Sequence, residues 1–130
     1  MPKASFVSVV DDDQFFRAST RRLVTSLGYA VEDFGSAADF LASPRLAETA
    51  CLIADIHMPA MTGLDLYRHL INVGHAIPTI LVTGRPDTGE AARALNSGVI
   101  CYLNKPINET CLVRCLDLAF HCDDPLDEDL

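Results

Sequence analysis

Five polar residues stand where short apolar runs end. Asp11 and Asp12 follow residues 6–10, Asp55 follows residues 51–54, Thr83 closes residues 77–83, and Lys105 lies just past residues 99–103. An ionised aspartate is a competent nucleophile toward phosphorus. A lysine ammonium and a threonine hydroxyl can bind the oxygens of a phosphoryl group in transfer. Carboxylates brought together need compensation, since two of them about 5 Å apart repel by about 3 kcal/mol at an effective dielectric of 20. Gathering Asp11, Asp12 and Asp55 therefore predicts a cation among them, and an all-oxygen donor set favours Mg²⁺. Asp55 stands alone before a loop containing Pro59 and Gly63 and is the best nucleophile candidate. Asp12 is the better metal ligand, with Asp11 second, through water.

The elements that would bring these residues together are legible in the alternation of β-rich runs and helix-period segments. The runs at residues 6–10, 29–34, 51–54, 77–83 and 99–103 read as strands. Helical segments separate them: residues 14–27 with Asp13 as N-cap and Gly28 after the end, and a short helix opened by Ser36 and bounded by Pro44. Residues 64–73 precede Gly74, a fourth helix capped by Asp87 or Thr88 ends near Asn96 before Gly98, and a last one runs from an Asn108 cap to about Cys122. Five β/α repeats predict an α/β fold: a doubly wound, five-stranded parallel sheet of order 2-1-3-4-5 with helices on both faces. In that order the ligand crevice opens outside the carboxyl ends of strands one and three, where Asp11, Asp12 and Asp55 fall.

Composition bounds the reading. The 130 residues are close to the roughly 150 of one domain, and 49% hydrophobic with 22% charged residues is ordinary globular composition. We expect one domain over residues 1–122 and a frayed acidic tail at 123–130. The net charge of −8 opposes binding of nucleic acid or an anionic membrane by this domain. No apolar run approaches the ~18 residues of a membrane span. The start, with one lysine, a short apolar run and three aspartates, is no signal peptide, so a cytoplasmic location is expected.

At these positions the sequence resembles the receiver domain of bacterial two-component response regulators, over about residues 5–121. The matching fragments are Val10-Asp11-Asp12, Asp55-Ile56-His57-Met58-Pro59 with Gly63-Leu64-Asp65-Leu66, Thr83-Gly84, and Lys105-Pro106. The wording around residues 58–64 looks most like the subfamily often fused to a helix-turn-helix output domain. The resemblance implies that Asp55 accepts a phosphoryl group from a phosphohistidine on a sensor histidine kinase or phosphotransfer protein. It implies Mg²⁺ held by Asp12, Asp55 and the His57 backbone carbonyl, with Asp11 in support, and a cis Lys105–Pro106 peptide. Thr83 and Lys105 would bind the phosphoryl oxygens, and Tyr102 would be an aromatic switch moving with Thr83. Phosphorylation would remodel the surface of helix four, strand five and helix five for a homodimer, an output domain or another protein target. His57 and Arg85, two residues beyond Asp55 and Thr83, are expected to set the phosphoryl lifetime. Such a domain acts on itself and is not a turnover enzyme. Ile107 stands where an aromatic often follows Lys-Pro, and Asn104 where apolar or acidic residues are common. The chain would be a stand-alone regulator or the front part of a longer transcription factor.

Plainer roles compete at several positions. Asp13 reads as a helix cap and not a third ligand; His57's ring as solvated; His69, His75 and His121 as surface residues. The five cysteines contain no C-x-x-C pair and read as small buried hydrophobes in a reducing compartment. In the last helix, polar Thr110, Arg114, Asp117 and His121 occupy an arc of only about 60°, which leaves Cys111, Val113 or Leu118 to face a partner. Rival functions on the same fold are a flavin-binding electron carrier, which needs a phosphate-binding loop where Asp11-Asp12-Asp13-Gln14 stands, and an Asp-nucleophile phosphatase. The latter chemistry usually has a second acid where His57 lies.

Overall fold

The computed structural model describes residues 6–121. Five strands are all parallel and ordered β2-β1-β3-β4-β5: β1 (Phe6–Val10), β2 (Ala30–Phe34), β3 (Thr49–Asp55), β4 (Thr79–Thr83) and β5 (Cys101–Asn104). The helices are α1 (Gln14–Ser26), α2 (Ala37–Leu41), α3 (Gly63–Asn72), α4 (Thr88–Ser97) and α5 (Glu109–His121), with a 3-10 turn at Leu46–Glu48. This is the expected doubly wound α/β architecture. The place expected for the α5 terminus, Cys122, and the acidic tail lie outside the described residues, as does the His121 side chain.

Period-two alternation sorts the strand residues onto two apolar layers. Val7, Val9, Cys51, Ile53, Ile80 and Val82 pack with Val24 of α1 and with Leu112, Cys115, Leu116 and Ala119 of α5. Val10, Leu52, Ala54 and Leu81 pack on the other face with Phe40 of α2, Leu66 and Leu70 of α3, and Ala94 of α4. The spacing of Leu112, Cys115, Leu116 and Ala119 is the i, i+3, i+4, i+7 stripe of a helix buried on one side. Cys111, Val113 and Leu118 are left exposed, as expected.

Capping fixes where the helices begin. Asp13, Ser36, Thr62 and Asp87 each accept a backbone N–H of the first turn through a side-chain oxygen. At the helix ends the chain departs from the expected strand starts. Tyr29 N donates to Val24 O and Val99 N to Ala94 O, so these residues satisfy the carbonyls of α1 and α4 before β2 and β5 begin. β4 starts only at Thr79, because Pro78 has no N–H for the ladder; its carbonyl accepts from Leu52 N at 2.9 Å. The expectation of unbridged cysteines fails at one pair: Cys101 and Cys115 are joined by a disulfide, with Cα atoms 6.2 Å apart. Their separation of 14 residues crosses from β5 to the buried stripe of α5, a contact no short Cys motif announces.

Helix α3 is set hard against the end of β3. An added Cβ at Gly63 would lie 2.6 Å from the Asp55 carbonyl oxygen and 2.9 Å from Leu81 Cδ2. The backbone cannot yield there without moving the strand tip that carries Asp55. Gly63→Ala is therefore expected to destabilise the fold by about 1–3 kcal/mol, the usual range for overpacking, as read by urea denaturation with the slope unchanged.

Candidate functional site

Strand register explains why the polar residues meet. Val10 is level with Ala54 in the β1–β3 ladder, so Asp11 and Asp55, each one residue further, lie side by side. Asp55 pairs with Val82 and Thr83 with Asn104, which puts Thr83 and Lys105 at the same end of the sheet. Lys105 N donates to Thr83 O at 2.7 Å, and the Lys105–Pro106 peptide is cis, as expected. A carboxylate oxygen from each of Asp11, Asp12 and Asp55 falls within 4.8 Å of the other two.

Lys105 Nζ lies 3.0 Å from Asp11 Oδ2 and 3.3 Å from Asp55 Oδ2, and 4.2 Å from the centre of the Phe16 ring. Asp55 Oδ1 accepts from His57 N at 3.1 Å, and Asp11 Oδ1 accepts from Asp13 N at 2.8 Å. Arg17 Nη1 donates to the Asp11 carbonyl while its Nε pairs with Asp33. Asp11 and Asp55 are buried, whereas Asp12 is open to solvent. Burial foremost raises the Asp11 pKa, and the Asp55 charge adds to it; the Asp13 N–H and Lys105 oppose. For Lys105, burial works downward. Its close ion pair with Asp11 and the charge of Asp55 outweigh that, holding the ammonium pKa above its ordinary value.

Does a divalent cation fit? Three carboxylates face one ammonium, which leaves negative charge uncompensated. Asp11 Oδ2 is fully buried with no partner in hydrogen-bond geometry, Lys105 being a charge contact. An oxygen-only donor set of this kind, half buried and half open to water, suits Mg²⁺, which keeps several of its waters.

The second group of residues flanks this cluster toward α4. Thr83 Oγ1 is turned to its own loop, donating to Arg85 O at 3.1 Å and accepting from Arg85 N at 3.0 Å; the Arg85 side chain is exposed. The Tyr102 hydroxyl donates to Glu90 Oε1 at 2.9 Å. Burial foremost, then Glu90, raises the Tyr102 pKa, with Asp87 N–H and Thr83 opposing. His57 departs from expectation: its ring is not simply solvated but sits with Nε2 3.4 Å from Glu90 Oε1. Asp13 is the α1 cap, His69 is exposed and His75 half-buried.

Sequence reasoning missed Phe16, Arg17 and Glu90. The first two lie three and four residues past the Asp13 cap, so the α1 phase alone could have aimed them at the cluster. Glu90 is only a third-position helix residue in sequence; nothing there says which way its carboxylate turns. Phe15, 85% exposed beside Asp13, was also not singled out.

Residues 7–117 match the response regulator receiver domain family. The chain is 36% identical over 117 residues to the response regulator protein TodT of Pseudomonas putida, covering 90% of this chain and 52% of that protein. It is 33% identical over 113 residues to the transcriptional regulatory protein FixJ of Rhizobium meliloti, covering 87% of this chain and 55% of FixJ. The crystal structure of FixJ-N superimposes with a TM-score of 0.81 at 32% identity, covering 93% of this chain and 96% of that one. The chain belongs to the receiver-domain family of two-component response regulators, a family of signalling domains. It spans about half the length of the curated relatives it matches. Neither the flavin-carrier nor the phosphatase reading gains support. Among the described residues no helix is long and apolar enough to cross a membrane.

A cation bound only by the folded cluster stabilises the fold by mass action, about 2.7 kcal/mol at a hundred times its Kd. Adding Mg²⁺ to saturation is expected to raise the thermal midpoint by several degrees, and by less in Asp12→Asn, as measured by differential scanning fluorimetry.

Proposed function

We propose that this chain is a phosphoacceptor switch in which Asp55 takes a phosphoryl group from a phosphohistidine of a sensor histidine kinase or phosphotransfer protein. The observation that carries this reading is Lys105 Nζ standing between Asp11 and Asp55 at the mouth of the sheet. An Asp55 oxygen attacks phosphorus, the P–N bond to the donor imidazole breaks, and the imidazole nitrogen keeps the electron pair, leaving an acyl phosphate. Asp12, Asp55 and the His57 carbonyl would hold Mg²⁺, with Asp11 supporting it through water. The ion would supply neutralisation of charge on the transferred oxygens. Lys105, already against Asp55, binds one phosphoryl oxygen by turning from the carboxylate. Thr83 binds another by giving up Arg85, and Tyr102, whose hydroxyl lies against the same region, responds to that movement.

The exposed Phe15 gives a protein phosphodonor an apolar foothold beside the site. The consequence of acyl-phosphate formation at the sheet end is a population shift in the face of α4, β5 and α5. Leu118, 51% exposed on α5, is the most exposed of several apolar residues there, with Val113 and Leu95, that suit a homodimer, output domain or protein target. Reaction is confined to the domain's own phosphorylation and dephosphorylation, in a cytoplasmic domain spanning residues 1–122. Transcriptional output, as named for FixJ, would be exerted by a partner or a further part of a longer protein.

Incubation with a small acyl phosphate and Mg²⁺, followed by intact mass, is expected to add one phosphoryl group to the wild type and none to Asp55→Asn. An equal gain in both proteins overturns the assignment. The phosphoprotein lifetime is expected to change in His57→Ala or Arg85→Ala, whose residues control the approach of water behind phosphorus. Identical decay in wild type and both variants would remove that role.

A further inference from the structure

One carboxylate oxygen outside the acidic cluster faces two functional residues at once. Glu90 Oε1 accepts from the Tyr102 hydroxyl at 2.9 Å and lies 3.4 Å from His57 Nε2. That imidazole nitrogen is fully buried without a partner in hydrogen-bond geometry, although its ring is 33% exposed, so a small closing movement would satisfy it with Oε1. Glu90 is held in place at the third position of α4, its N–H donating to Asp87 Oδ1 at 3.1 Å. In a capping box its side chain would turn back to the cap; here Oε1 reaches across to β5 and to the loop after β3 instead.

We propose that Glu90 is a positioning residue of the phosphoryl-transfer site, tying the His57 ring to the Tyr102 hydroxyl through one carboxylate oxygen. The inference rests on the phosphoacceptor reading for its kinetic consequence. His57 donates its backbone N–H to Asp55 Oδ1, so the backbone beside the nucleophile is linked through this ring to α4 and then to β5. Movement of the Tyr102 hydroxyl releases one of the two groups that share the oxygen, and the His57 ring gains it outright. Glu90 thus acts through His57 and Tyr102 and touches no reacting atom.

The test uses the full chain at one fixed pH, carrying fluorotyrosine and ¹⁵N-histidine, with Tyr102 assigned by Tyr102→Phe and His57 by His57→Ala. In the unphosphorylated protein, Glu90→Leu is expected to move both the Tyr102 fluorine resonance and the His57 Nε2 resonance. Glu90→Gln, which retains an oxygen acceptor, should restore both most of the way. Tyr102→Phe alone should move the His57 resonance. After treatment with acyl phosphate and Mg²⁺, Glu90→Leu should change the phosphoprotein half-life about two- to tenfold, the span of one hydrogen bond, with Tyr102→Phe adding nothing further. A shift of only one resonance, or a Glu90→Gln effect as large as that of Glu90→Leu, overturns the shared oxygen. If Glu90→Leu fails to fold, an unmoved His57 resonance in Tyr102→Phe overturns it equally. If the wild type gains no phosphoryl group, the phosphoacceptor reading falls, while the resonances still decide the Glu90 tie.

Discussion

The contact of one ammonium with two buried carboxylates governs this end of the molecule. Asp11 and Asp55 are neighbours because β1 and β3 run in register, and register in a sheet buried on both faces is not free to slip. The fold thereby forces two like charges together in a place of low water content. Lys105 offsets part of that repulsion, and its ammonium also lies over the Phe16 ring, a cation–π contact that helps fix where the charge sits. Removing one member of such a set leaves the others uncompensated, which is why buried ion pairs are costly to break even where their net contribution to stability is small.

The same constraint explains a division of labour across the sheet. Asp55 follows the parity of Cys51 and Ile53, residues packed on α1 and α5, whereas Tyr102 packs with the opposite layer. The charged cluster and the threonine–tyrosine group therefore belong to different faces that touch only at the strand tips. Thr83 and the loop after β3 are where the two meet. At that narrow junction the polar atoms between Asp55 and α4 are supplied by Thr83, His57 and Glu90.

Much of this was legible in the chain. The β/α alternation pointed to the sheet order, and acidic residues placed directly after apolar runs, with a lysine after the last run, gave the composition of the cluster, because parallel strands share one carboxyl end. Helix starts were legible for the same local reason: Asp13, Ser36 and Asp87 each precede a helical phase and bond its first turn. What escaped depended on side-chain direction or on distance in sequence. The Cys101–Cys115 bond and the Glu90 contacts join different elements, and neither has a local signature. The strand starts at Ala30 and Cys101 follow residues whose N–H groups go to helix-end carbonyls, and the start at Thr79 follows Pro78, which has no N–H to give.

The two flanks of β5 are fastened unlike one another. On one side Cys101 is stitched covalently to α5; on the other the adjacent Tyr102 is clasped to α4 by a phenol and a carboxylate. A sulfur bridge holds its ends within a bond's length, while a hydroxyl can leave an acceptor at thermal energies. This edge is thus held lopsidedly: a covalent bond joins the strand to α5, and an exchangeable hydrogen bond joins it to α4.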